Sequence, residues 1–141
     1  MRVLALDVGD KRTGMALSDA LRYTAQPLDV WERRSIEEDL AQILALVRQY
    51  DVDTIVVGHP VTMAGTSSRQ TTKTEQFAAT LRERCPVPVV LWDERLTTAQ
   101  GERALIEGGV RRRQRRIVVN QVAAQLLLQQ YLDTQRGTTA T

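Results

Sequence analysis

The sequence predicts an α/β domain: a mixed five-stranded sheet, three antiparallel strands followed by two parallel ones, flanked by helices. Three observations carry this expectation. An apolar run at 3–8 is followed by two short strand patterns across connections too short for anything but antiparallel pairing. Two later apolar runs are each preceded by a helical pattern, and a helical crossover implies parallel neighbours. The chain has 141 residues, 43% of them hydrophobic, which is enough for one domain with a real core.

Residues 2–8 read as a central strand, apolar on both faces. GDKRTG is a turn, GMALS at 14–18 a second strand and QPLDVW at 26–31 a weaker third. Residues 35–50 read as a helix, because Ser35 and Glu38 make a capping-box pattern and Ile36, Leu40, Ile43, Leu44 and Val47 share one face. TIVVG at 54–58 is a buried strand and 59–70 a loop. A helix over 71–84 turns Phe77 and Leu81 inward. Pro86 and Pro88 bracket the start of a strand at 87–92, which runs into Asp93-Glu94-Arg95. Thr97 or Thr98 caps a helix to about Glu107, stopped by Gly108-Gly109. VRRRQRR at 110–116 is expected as a connecting loop, and the last helix over about 118–133. Residues 1–135 form the single domain and 136–141 a frayed tail.

Composition excludes several classes. Cys85 is the only cysteine, so no internal disulfide forms and a reducing compartment is expected. The first apolar stretch stops at Asp7, so it does not read as a signal peptide, and no apolar window is long enough to span a membrane. A cytoplasmic location is the expectation. Of 19 basic residues only Lys11 and Lys73 are lysine, and arginine is the better fork for phosphate. No GxxxxGK is present, which argues against a P-loop NTPase.

The chemistry is expected where strands end in acids. The first strand ends near Asp7 and the fifth at Asp93-Glu94. If the two run parallel, these acids meet at the carboxyl edge of the sheet, where sites in open α/β sheets form. Carboxylates brought close repel unless a proton or cation intervenes, and hard divalent ions take carboxylate oxygens. The simpler role for Asp7 is to cap the amides of the following turn. Asp19 ends the antiparallel second strand and belongs at the opposite edge. Lys11 and Arg12 lie in the turn, placed either to hold phosphate or simply to be solvated.

The sequence is identified as resembling the YqgF/RuvX family through LALDVGDKRTGMALSD (4–19), VVGHPVTMAGTSS (56–68), DERLTTAQ (93–100) and VNQVAAQLLLQQYL (119–132). That family is described both as Holliday junction resolvases and as pre-16S rRNA nucleases, with an RNase H-like fold. The resemblance implies a metal-dependent phosphodiesterase. Its first acid falls on Asp7 and its second on Glu94, with Asp93 as neighbour. Its third is an aspartate opening the last helix, where this chain has Asn120. Asparagine offers a neutral oxygen, attracts a cation less and cannot act as a base. Asp7, Glu94 and Asn120 are thus the catalytic candidates and, with Asp93, the metal candidates. Mg²⁺ or Mn²⁺ is the expected cofactor, with Mn²⁺ favoured as the tighter-binding ion.

Nucleic acid, RNA or branched DNA, is the expected partner, with no membrane and with pre-ribosome association through the family's rRNA role. Arg111, Arg112, Arg113, Arg115 and Arg116 form the sharpest charge cluster and suit a phosphodiester backbone. Arg95, Thr97 and Thr98 are further backbone contacts, although Arg95 can equally pair with an acid and a threonine can cap a helix. Aromatic residues are only 4% of the chain, so recognition should rest on backbone and shape more than on base stacking. Two other readings remain: a nucleic-acid-binding module with an impaired site, and an ATPase of the actin and sugar-kinase kind. The latter normally needs two lobes and more chain.

Overall fold

The computed structural model describes residues 1–9, 11–59, 69–93 and 112–139, with side chains throughout except at 112–120 and 136–139. Its sheet has the order β3-β2-β1-β4-β5. The strands are β1 (Arg2–Val8), β2 (Arg12–Ser18), β3 (Ala25–Glu32), β4 (Val52–His59) and β5 (Val89–Asp93). β1 pairs antiparallel with β2, and β2 with β3. β1 pairs parallel with β4, and β4 with β5. This is the mixed sheet expected from sequence, with β4 inserted between the two acid-ended strands.

Helix α1 (Ile36–Gln49) starts where expected: Ser35 is its N-cap, and the Ser35 hydroxyl accepts from the Glu38 amide at 3.2 Å. Helix α2 (Arg69–Arg84) begins two residues earlier than predicted. The last helix, α3 (Arg112–Thr139), differs more. It takes in Arg112, Arg113, Arg115 and Arg116, which the sequence reading assigned to a loop. No glycine or proline interrupts RRQRRIVVNQ and arginine is a good helix former, so nothing delays the helix to 118. It also runs on through Thr139 into the stretch expected to fray. The helix expected near 98–107 lies outside the described residues.

Two cores sit on the two faces of the sheet. Leu4, Leu6, Val8, Met15, Ile55 and Val57 face α1 and α2, against Leu40, Ile43, Phe77 and Leu81. Val3, Ala5, Ala16, Ala25 and Val56 face α3, against Ala124, Leu127, Leu128 and Leu132. The α3 side of the sheet is lined by alanine and valine, so a helix can lie close. This strand alternation (period two) decides which face each strand-end residue serves.

Candidate active site

Asp7 is half-buried at the carboxyl edge of β1, between Leu6 of one core and Val8 of the same core. It therefore faces the other way, with Val3 and Ala5, toward α3. Its neighbours in the sheet are Gly14 on β2 and, one step beyond the Leu6–Val57 pair, Gly58 on β4. Trp92 of β5 stands next to Gly58. Asp7 is thus flanked on both sides by residues without side chains. Trp92 lies one strand beyond Gly58 on the same face. The Trp92 ring is held edge-on against Tyr131 of α3, centroids 5.4 Å apart.

The β1–β2 turn is fixed from beneath. The Gly9 amide donates to the Arg12 carbonyl at 2.8 Å. A Cβ at Gly9 would lie 2.9 Å from that oxygen, so the turn requires glycine. Arg12 continues the row of Gly14 and shares the face of Asp7, and Lys11 is exposed at the turn. Arg33, just past β3, donates through Nη1 to the Gly9 carbonyl at 2.8 Å and through its amide to the Lys11 carbonyl at 2.8 Å. Buried Asp39 holds Arg33 in turn, its Oδ2 accepting from Nε at 3.2 Å. The other oxygen of Asp39 accepts from Trp31 Nε1 at 2.8 Å and from the Arg34 amide at 3.3 Å. None of this network is signalled by the sequence, where Asp39 is an ordinary acid in the first turn of α1.

Two glutamines of α3 fasten it to the start of β3. Gln129 Oε1 accepts from the Ala25 amide at 2.9 Å, and its Nε2 donates to the Tyr23 carbonyl at 3.0 Å. Gln125 Nε2 donates to the Ala25 carbonyl at 3.2 Å. Ala25 lies opposite Ser18, whose hydroxyl accepts from the Val3 amide at 2.8 Å. Gln125 and Gln129 thus fix the middle of α3 at the start of β3. Position 120 is one turn before Ala124, which is fully buried against the sheet.

Asp93 shares the edge with Asp7, but β4 lies between them, about 10 Å across two strand spacings. It pairs with His59, one step past the Gly58–Trp92 pair, so the strand alternation puts it on the face opposite Asp7. Asp19 sits at the far edge, as expected. Its Oδ1 accepts from the amides of Tyr23 and Thr24, and chiefly the Thr24 contact holds its carboxyl below the ordinary aspartate range. His59 contacts Glu75 on α2 at 2.9 Å. Cys85 is buried in the α1–α2 core. Glu94, Arg95, Thr97, Thr98 and Arg111 lie outside the described residues, as do the side chains of Arg112, Arg113, Arg115, Arg116 and Asn120. Among the described residues no group of three or more His, Cys, Asp or Glu forms a metal cluster. No helix is long and apolar enough to cross a membrane, among those described.

Residues 1–134 match the family model RuvX, described as Holliday junction resolvase. A protein of Halalkalibacterium halodurans, provisionally named a pre-16S rRNA nuclease, is 46% identical over 138 residues, covering 96% of this chain and 99% of the relative. A protein of Syntrophus aciditrophicus with the same provisional name is 47% identical over 133 residues, covering 94% and 89%. Among solved structures, Thermus thermophilus RuvC bound to a Holliday junction superposes with a TM-score of 0.60 at 15% identity, covering 98% of this chain and 97% of that one. The fowlpox virus Holliday junction resolvase gives 0.60 at 14%, covering 96% and 99%. These likenesses carry the RNase H-like fold. With the family model spanning nearly the whole length and such relatives at this identity, the chain belongs to the RuvX family.

Proposed function

We propose that this protein is a divalent-metal-dependent nuclease that hydrolyses phosphodiester bonds in structured nucleic acid, acting in pre-16S rRNA processing in the cytoplasm. The observation that carries the reading is the place of Asp7: a carboxylate at the carboxyl edge of β1, with glycine at both neighbouring strand positions, Gly14 and Gly58, so that neither adds a side chain beside it. Its oxygen donors are of the hard kind that Mg²⁺ and Mn²⁺ take. Asp7, Glu94 and Asn120 would hold the metal. Asp93 is left out because of its face. When bound, the cation supplies an activated water and charge neutralisation at the phosphate.

The chain's own residues do the positioning. Arg12, on the face of Asp7, and Lys11, at the turn, bind the phosphodiester. Arg33 and Asp39 hold that turn in place. The arginines at 111–116, along with Arg95, Thr97 and Thr98, hold flanking backbone. Asn120 supplies a neutral oxygen where the family has a carboxylate, which lowers the pull on the cation and favours Mn²⁺ over Mg²⁺.

A second reading, a Holliday junction resolvase, is favoured by the description of the matching family model. One experiment separates the readings. Cleavage of labelled precursor-like RNA and of a four-way DNA junction is measured with Mn²⁺ and Mg²⁺, for the native chain, Asp7→Ala and Asn120→Asp. The proposal expects RNA cleavage, lost in Asp7→Ala and stronger in Asn120→Asp. Cleavage of the junction alone selects the resolvase. Activity only in Asn120→Asp would make the native chain a binding protein.

A further inference from the structure

The sheet face opposite Asp7 carries a cleft that the reading above does not use. It lies between the start of α1 and the middle of α2, with a volume of about 430 Å³. Arg33, Arg34 and Lys73 line it, against one carboxylate, Asp39. Both oxygens of Asp39 are already engaged by Trp31, Arg33 and the Arg34 amide. The lining thus carries three cationic side chains and one carboxylate. The guanidinium groups are also held in place. Arg33 lies over the Phe77 ring at 5.4 Å, and Arg34 over the Trp31 ring at 5.6 Å. Arg34 and Lys73 are exposed to solvent. The Glu38 carboxylate reaches Arg34 only at 3.9 Å and is itself exposed, so it screens that charge weakly.

The cleft is continuous with the catalytic edge. β3 runs parallel to β1, so Arg33, which follows it, stands at the edge where Asp7 lies. Its Nη1 bond to the Gly9 carbonyl joins the cleft to the β1–β2 turn. Lys11 is exposed on that turn.

We propose that the cleft between α1 and α2 is a second phosphodiester-binding site, which holds the substrate's single-stranded backbone after it passes from Asp7 over the β1–β2 turn. The proposal rests on the nuclease reading for the identity of that strand. Arg34 and Lys73 carry the phosphate contacts, and Arg33 ties their position to the turn.

The test is the salt dependence of binding. A fluorescein-labelled 12-nucleotide single-stranded RNA is titrated with the full chain in EDTA, from 50 to 200 mM KCl, and anisotropy is read. The double variant Arg34→Gln/Lys73→Gln removes two contacts worth about 0.7 each in the slope of log K against log salt. The native chain should then lose about sevenfold more affinity across that range than the variant does. Thr80→Arg adds a cation to the same lining and should steepen the slope by about 0.7. Equal slopes in native chain and double variant, with unchanged melting temperatures, overturn the proposal, as does a native chain that binds no RNA. Cleavage with Mn²⁺, measured separately, tests the nuclease reading. A native chain that cleaves but shows unchanged slopes loses only the cleft; one whose slope falls in the variant but that never cleaves loses only the nuclease.

Discussion

Replacing Asp39 by alanine should cost this protein about a third of the stability expected for a domain of its size. Asp39 is 3% exposed and accepts three hydrogen bonds, from Trp31 Nε1, the Arg34 amide and Arg33 Nε. Each such bond contributes about 1 kcal/mol net, and more where the acceptor is charged. Breaking a fully buried pair costs about 3–5 kcal/mol. The Arg33 side chain is 23% exposed and regains some water, which brings the sum to about 3 kcal/mol. For 141 residues the unfolding entropy near the midpoint is about 0.3 kcal/mol/K, so the midpoint should fall by about 10 °C. Thermal melting by circular dichroism reads this directly. Glu38→Ala is the control: its pair with Arg34 spans 3.9 Å between exposed side chains, and its loss should shift the midpoint by less than about 2 °C. An Asp39→Ala midpoint within 3 °C of the native value would refute the claim that this carboxylate anchors the turn (roughly 1 kcal/mol on the same conversion).

Other outcomes follow from the same geometry. Gly58→Ala places a methyl at the strand position beside Asp7 and should lower metal-dependent cleavage roughly tenfold or more, with melting little changed; full activity would show that the glycine beside Asp7 does not matter. Leu128→Ala empties a fully buried position between α3 and the sheet and should destabilise by about 2–5 kcal/mol, read by denaturant unfolding. Asp19, its carboxyl held below the usual range mainly by the Thr24 amide, should show a carboxyl titration midpoint by NMR below that of an unfolded aspartate. Because its folded value is the lower one, its contribution to stability is present above the unfolded value and is lost as pH falls through the folded one. A midpoint at or above the ordinary value would contradict the turn geometry.

The local signals were legible. Ser35 caps α1 as its spacing promised, and the apolar stripe of Leu40, Ile43 and Val47 is the buried one. The β1–β2 hairpin and its glycine turn read correctly because a hairpin is set by neighbours in sequence. What could not be read depends on distant pairing. That β4 separates β1 from β5, and that the register sets Gly58 beside Asp7 and Asp93 on the other face, follows from parallel register across crossovers. The Asp39 network joins a strand end to a helix start, and its parts are individually ordinary. Arg112–Arg116 was misread because charge density was taken for loop character, whereas arginine has good helix propensity.

The glutamine grip on β3 has a consequence for the length of the chain. Gln125 and Gln129 fasten the middle of α3 to the Ala25 backbone, and Asn120, proposed above as a metal ligand, stands between one and two turns before Gln125. Between them the helix acts as a rigid shaft, so what reaches the site is its phase. Deleting one residue between 120 and 125 would turn position 120 by about 100° about the helix axis and draw it back by about 1.5 Å. Side chains along that shaft can be exchanged for others of like size, but their number is fixed by the distance across the sheet.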